Sequence, residues 1–373
     1  MPVAQNAVSP SSGQSSRCLL AFIAEWQNAY ALSEIQNLLT KVYTGIGQCL
    51  ASVWKLFHKP IMCRALLYLG QPVLLDHLLY QPDSALVRQS YMPKMLHLLN
   101  LAGFGLRAWD PGSHSPASPF VYGSPSLPVF DRNLKNMAEK VRASCVLGHV
   151  RGVAYSTTVD ISLQNVHPFQ FPGVPLSLAH NGDLARMSEM KPLLVPFVHP
   201  DFLPEIRGTT DSEWIYALIV SALADPRRHA TREELLAAIE QAMTILRAVR
   251  AQLGIALSSS VNLFIADGTQ LAAVRYCFDF GCYASDDPTR VHEANLNYLS
   301  LWYTLGRDYG MHDDGLGNQE WRMSGGAENA DSIIVASEPL TRDTSTWVEV
   351  PEYSILHAEL TGGSPVVTVR YLD

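Results

Sequence analysis

The stretch Met62-Cys63-Arg64-Ala65-Leu66-Leu67-Tyr68-Leu69-Gly70 decides the reading of this chain. Residues 65–69 are apolar without a break, and Gly70-Gln71-Pro72 reads as a turn, so the stretch is a short apolar strand opened by a cysteine. That cysteine has two readings. It is an ordinary buried thiol, as chance supplies in a chain with 10 methionines and 6 cysteines. Or it is a nucleophile brought to a chain terminus when the methionine before it is removed. Arg151, His180-Asn181-Gly182 and Asp211, further along and in that order, bear on the choice.

The chemistry explains why those residue types matter. A thiol with a pKa of about 8.5 is only a few per cent ionised at neutral pH. A free α-amino group, with a pKa of about 7.7–8.0, is a usable base there, whereas a peptide nitrogen is not. A terminal cysteine therefore carries nucleophile and base in one residue. The carbonyl it attacks needs an oxyanion hole, which an Asn side-chain amide and a Gly backbone N–H can form. A substrate bearing its own α-carboxylate and α-ammonium needs an arginine fork for the first and an aspartate for the second. The candidates are Cys63 as nucleophile, Asn181 and Gly182 as oxyanion hole, Arg151 as carboxylate clamp and Asp211 as ammonium clamp. Each has an ordinary reading too: Arg151 as a surface ion-pair residue, Asn181-Gly182 as a hairpin turn, Asp211 as a helix-start acid. Their conjunction and order favour the functional set. His180 is a pocket neighbour, and His167 a structural hydrogen-bonding residue. Asn100 and Gly103 either shape the pocket wall or make a core turn, with Gln89, Ser90 and Tyr155 as candidate lining residues.

With these residues in place, the chain resembles the class II glutamine amidotransferases of the N-terminal nucleophile hydrolase fold. Met62-Cys63, Gly148-His149-Val150-Arg151, Asn165-Val166-His167-Pro168, His180-Asn181-Gly182 and Thr210-Asp211-Ser212-Glu213 carry the resemblance. Met62-Cys63-Arg64, Gln89-Ser90-Tyr91, Asn100 with Gly103-Phe104-Gly105, and Ser337-Glu338-Pro339-Leu340 make it similar to the stand-alone branch with ergothioneine-pathway and glutathione-degrading γ-glutamyl hydrolases. The resemblance spans about residues 62–360 and implies a four-layer αββα sandwich. It also implies cysteine-dependent hydrolysis of a γ-glutamyl amide through a thioester, with neither metal nor organic cofactor. Two departures bear on substrate identity: Ala102 stands where the branch has an aspartate, and Gly152 where the sugar-phosphate amidotransferases have tryptophan. No sugar-isomerase or phosphoribosyltransferase domain follows before Asp373, so the expected acceptor is water or a separate protein. A glutaminase subunit feeding a separate synthase and an inactive γ-glutamyl-binding relative remain as alternatives.

Composition agrees with an enzyme of ordinary globular kind. The 373 residues are 47% hydrophobic and 17% charged, with a net charge of −8. No Lys/Arg run stands out, so nucleic acid is not an expected partner. The expected partners are a small γ-glutamyl substrate and either a second copy of the chain or a synthase. The cysteines form no CxxC pair and the 12 histidines no ligand spacing, which argues for free thiols, a cytoplasmic location and no metal. From Cys63 onward the elements run strands, then two helices over 211–224 and 231–253, then strands over 260–266, 271–277, 298–303, 333–337, 353–360 and 365–371. Helical segments are also expected over 74–80 and 133–141, and a loop over 111–128. This order suits an α+β architecture with sheets face to face and helices outside.

Residues 1–62 are expected to form an N-terminal extension, disordered at first and helical over 18–57, ahead of an amidotransferase domain spanning 63–373. The extension is an upstream stretch with translation starting at Met62, a propeptide, or a helical appendage. The first is favoured, because Met62-Cys63 suits initiator-methionine removal. The apolar run at Cys18 is too short to span a bilayer.

Overall fold

The computed structural model describes residues 63–95, 100–153, 160–280, 300–313, 317 and 319–373. The helix expected over 18–57 and Tyr155 lie outside them. The chain divides into two compact units, Met1–Lys59 and Pro60–Asp373, and every described residue belongs to the second.

Strand β1 (Arg64–Leu74) lies between β11 (Ser332–Ala336) and β4 (Arg142–Val150), antiparallel to both. They belong to an eight-stranded sheet in the order β10 (Gln319–Ser324), β9 (Trp302–Asp313), β11, β1, β4, β2 (Phe104–Trp109), β3 (Phe120–Ser124), with β12 (Val348–Glu349) also on β9. A second, six-stranded sheet runs β14 (Ser364–Tyr371), β13 (Ser354–Thr361), β7 (Gln270–Arg275), β6 (Ser259–Ala266), β5 (Ser177–Gly182), with β8 (Cys277–Phe278) on β6.

Alternation along β1 shows how the layers stack. Ala65, Leu67 and Leu69 share a core with Ala179, Phe264, Ala273 and Leu356 of the second sheet. Leu66 and Tyr68, pointing the other way, pack with Leu78 and Leu79 of helix α1 (Leu75–Leu79) and Leu134 of α2 (Arg132–Ala138). On the far side of the second sheet, Val261, Leu263 and Ile265 meet Ile215 and Ile219 of α4 (Asp211–Ala222) and Leu235, Ile239 and Met243 of α5 (Arg232–Gln252). α3 (Met187–Leu194) joins that layer through Met190 and Leu194. The result is a four-layer αββα sandwich. Both faces of β1 are buried, which is why its sequence is unbroken apolar rather than alternating.

The helix ends follow local chemistry. The Thr231 side chain accepts from Glu234 N while Glu234 returns a bond to the Thr231 backbone, a reciprocal cap on α5. Thr210 caps α4, accepting from Glu213 N.

The structure differs from the sequence expectation in five places. Gly70-Gln71-Pro72 is not a turn: β1 runs on to Leu74, with a register shift between Leu69 and Val73. Side chains take over from the ladder there, since Pro72 has no N–H, Gln71 N donates to Ser332 Oγ (3.3 Å) and the Tyr68 hydroxyl donates to Gln71 O. The loop expected over 111–128 contains the edge strand β3. Strand β10 and helix α3 have no counterpart in the expectation; α3 has Pro192 inside it, a signal that reads as loop, and it begins at a left-handed Arg186 (φ 58°). Asn181-Gly182 is the end of β5, paired with Asn262 and Val261, and not a hairpin turn. No described helix is long and apolar enough to cross a membrane.

Candidate active site

Cys63 immediately precedes β1, and its side chain is buried. The β1–β4 register pairs Arg64 with Val150, which brings Cys63 to the backbone just past β4. The Gly152 N–H donates to Cys63 Sγ (3.3 Å), and the thiol faces Gly152 O at 3.7 Å. Burial pushes the thiol pKa up; the Gly152 N–H and the Arg151 cation pull it down, Asp211 pushes it up and Arg64 pulls it down. Cys63, Arg151 and Asp211 thus lie in one another's electrostatic field.

Arg151 continues the β2–β4 ladder: its N–H donates to Gly103 O (2.8 Å), and Ala102 N donates to Arg151 O (3.0 Å). The guanidinium is anchored by a bond to Asp160 O (2.9 Å). Asn165 braces the same corner, donating to Asp160 O (3.2 Å) and Thr209 Oγ1 (3.0 Å) and accepting from Thr209 N (2.8 Å). This loop delivers Asp211 to the first turn of α4. Glu213 fixes it from inside the helix by accepting from Arg207 N (3.0 Å) and Gly208 N (2.7 Å).

Asn181 is fully buried on β5, and its amide Nδ2 donates to Ser337 Oγ (3.1 Å). The same hydroxyl accepts from Ala65 N (3.0 Å), and Ser337 N donates to Ala65 O (3.0 Å). Ser337 therefore locks the oxyanion-hole candidate of the second sheet to the residue two past Cys63 in the first. An amide carries two donor hydrogens, so Nδ2 keeps one beyond Ser337. Gly182 is held against β6: a Cβ there would sit 2.0 Å from Ser260 O and 2.5 Å from His180 Nε2.

Asp211 Oδ2 accepts from Leu184 N (2.7 Å), and Oδ1 accepts from the Ser212 hydroxyl (3.0 Å). His180 sits behind it, buried, with Nδ1 2.9 Å from Ser212 Oγ and Nε2 3.3 Å from Ser260 O. His167 and His149 bond each other (3.1 Å). Burial, with Arg151 and His180 nearby, holds His149 down to about 3, and burial keeps His167 well below the ordinary range. Asn100 is buried, donating through Nδ2 to Gln89 O (3.2 Å) and through its backbone to Ser90 O (2.7 Å), two residues before the Ala102–Arg151 bond.

The structure brings Cys63, Arg151 and Asp211 together and ties Asn181 to them through Ser337. Asn100 closes the backbone of the neighbouring segment. Sequence reasoning gave no role to the Gly152 N–H, to Ser212, or to Ser337 and Glu338, although the last three lie in quoted motifs. Glu338 is a hub: its carboxylate accepts from Ser84 Oγ (3.0 Å), Lys94 N (3.1 Å) and Met95 N (3.1 Å) and pairs with Arg64 Nε (3.4 Å). Arg64 in turn donates to Cys63 O (3.1 Å).

The αββα sandwich with a buried cysteine leading its central strand is the N-terminal nucleophile hydrolase architecture. The chain superposes on a glutamine aminotransferase class-II domain protein from Silicibacter pomeroyi with a TM-score of 0.50 at 17% identity, covering 83% of this chain and 100% of that one, a likeness of fold. A family model described as class-II glutamine amidotransferases matches residues 103–293, and the chain belongs to that family of enzymes. It is 28% identical to the probable glutamine amidotransferase DUG3 of Saccharomyces cerevisiae over 312 residues, 79% of this chain and 81% of that protein. It is 30% identical to the γ-glutamyl-hercynylcysteine sulfoxide hydrolase of Mycobacterium tuberculosis over 127 residues, 34% of this chain and 51% of that one. The family resemblance read from the motifs is borne out.

Proposed function

We propose that the chain hydrolyses a γ-glutamyl amide, glutamine or a γ-glutamyl peptide or conjugate, through a thioester on Cys63. The observation that carries this is the Cys63 thiol set against the Gly152 backbone and between the charges of Arg151 and Asp211. Burial keeps the thiol protonated at neutral pH, so it needs a base. Among the described residues its hydrogen-bond partners are the backbone groups of Gly152, and the buried histidines His149, His167 and His180 are engaged with other groups. The base that fits is the residue's own α-amine, which requires the active form to begin at Cys63. Arg151 takes the substrate α-carboxylate and Asp211 the α-ammonium. Sγ bonds to the side-chain carbonyl carbon as its proton passes to the amine. The second Nδ2 hydrogen of Asn181 and the Gly182 N–H receive the oxyanion. The leaving nitrogen takes the proton and departs as ammonia or an amine; water then attacks the thioester, releasing glutamate and restoring the thiol. A relative named for hydrolysis of a γ-glutamyl conjugate supports water as acceptor.

Cys63→Ala is expected to abolish glutamate release, and the intact mass of active protein from cells is expected to start at Cys63. Unchanged release from the variant, or full activity in protein that retains residues ahead of Cys63, counts against this reading.

A further inference from the structure

We infer that Arg64, gripped by Glu338, is a positioning residue that fixes the direction of the Cys63 α-amine; this rests on the functional reading above, in which that amine is the base. The geometry at one carbon carries the inference. The Cys63 Cα bears the Cβ–Sγ arm, the carbonyl and the nitrogen. In a chain that begins at Cys63 no preceding peptide holds that nitrogen, and a chain terminus is ordered only where other groups tie it down. Two groups do so. The Gly152 N–H donates to Sγ (3.3 Å), and Arg64 Nη1 donates to the Cys63 carbonyl (3.1 Å). With the arm and the carbonyl both held, the tetrahedral Cα leaves the nitrogen one direction.

Arg64 is itself fixed from the other end. Its Nε lies 3.4 Å from Glu338 Oε2, and both side chains are buried. The two contacts leave from different nitrogens of one rigid fork, so holding the guanidinium at Glu338 also aims Nη1 at the carbonyl. Glu338 has little freedom to follow a moving arginine, because its oxygens accept from Ser84 Oγ (3.0 Å), Lys94 N (3.1 Å) and Met95 N (3.1 Å). The start of β1 does not need this pair for its register. Ser337 holds both backbone groups of Ala65, accepting from its N–H and donating to its carbonyl, each at 3.0 Å, and pairing with β4 and β11 carries the strand from there. What Arg64 adds therefore falls on the residue ahead of the strand. A buried ion pair is weak evidence for stability, since apolar residues of similar volume often serve as well. Here the cation has a separate task, a hydrogen bond to the carbonyl of the nucleophile residue itself.

The test is steady-state kinetics with glutamine on protein isolated from cells, its intact mass showing Cys63 as the first residue. Arg64→Met is expected to lower kcat on the order of 10²-fold, as a misplaced reacting group does, while KM stays within ~3-fold, because the amine acts in the chemistry and not in holding the substrate. That variant leaves the Glu338 carboxylate buried without its cation and is expected to melt at a lower temperature. The double variant Arg64→Met with Glu338→Gln has no unpaired buried charge, so its melting temperature is expected to return toward that of the wild type. Its kcat is expected to stay on the order of 10²-fold down, since the Cys63 carbonyl still lacks its donor. A kcat that recovers together with the melting temperature, a wild-type kcat in either variant, or a KM that rises as much as kcat falls overturns the inference. Absence of glutamate release from the wild-type enzyme would instead count against the functional reading.

Discussion

Gly182 leaves no space for a side chain. A methyl group there would meet the Ser260 carbonyl and the His180 ring at distances real atoms do not adopt, so β5 must move away from β6 to accommodate it. That movement displaces the Gly182 N–H and Asn181 together. Gly182→Ala is expected to lower kcat by on the order of 10²-fold, as loss of one oxyanion donor does, with a reduced melting temperature. A variant with wild-type kcat would show that the Gly182 N–H does not contact the reacting oxygen. The candidate residues could be named as a set from the sequence, because the proposed chemistry requires a thiol, an amide, an arginine fork and a carboxylate. Second-rank partners were not. Nothing local in Ser212, Ser337 or Glu338 says which distant atom it will meet; Ser337 reaches across to Asn181, 156 positions away.

At the scale of elements, α5 was the most legible part of the chain, since an amphipathic period and a Thr-x-x-Glu cap are both local signals. Thr231→Ala removes the acceptor for Glu234 N and is expected to cost about 1 kcal/mol, read as a lower melting temperature with kcat unchanged. Elements set by non-local pairing were misread. Asn181-Gly182 favours a tight turn when only its neighbours are weighed, yet pairing with Asn262 and Val261 keeps it extended. The Gly70-Gln71-Pro72 break is bridged because Ser332 and Tyr68 supply the bonds that proline cannot.

For the whole molecule, the interior next to the site sets a pH dependence. The unfolded chain takes up protons on its histidines near the ordinary value of 6.5, whereas folded His149 does so only at about 3. His167 and His180 are also shifted down. A depressed folded pKa means that the unfolded state binds more protons below about 6.5, so the stability is fully present above that value and is lost as pH falls toward 3. Asp183, pushed up to about 6 by burial and by Asp211, opposes this over a narrower window. Urea midpoints are therefore expected to decline steadily from about pH 7 to about pH 4, and a flat profile would contradict the burial of neutral histidines.

The sequence by itself determined the apolar central strand, the capped helices, the layered α+β class and the ordered residue types of the site. Each of these follows from local periodicity, local hydrogen bonding or the demands of one reaction. The tertiary structure alone decided that Asn181-Gly182 is extended, that Ser337 fastens the Asn181 amide of one sheet to the strand of the other that follows Cys63, and that Arg64 finds Glu338. Those outcomes depend on hydrogen bonds and buried charges whose partners lie far away in sequence, and such partners are set only when the two sheets close on each other.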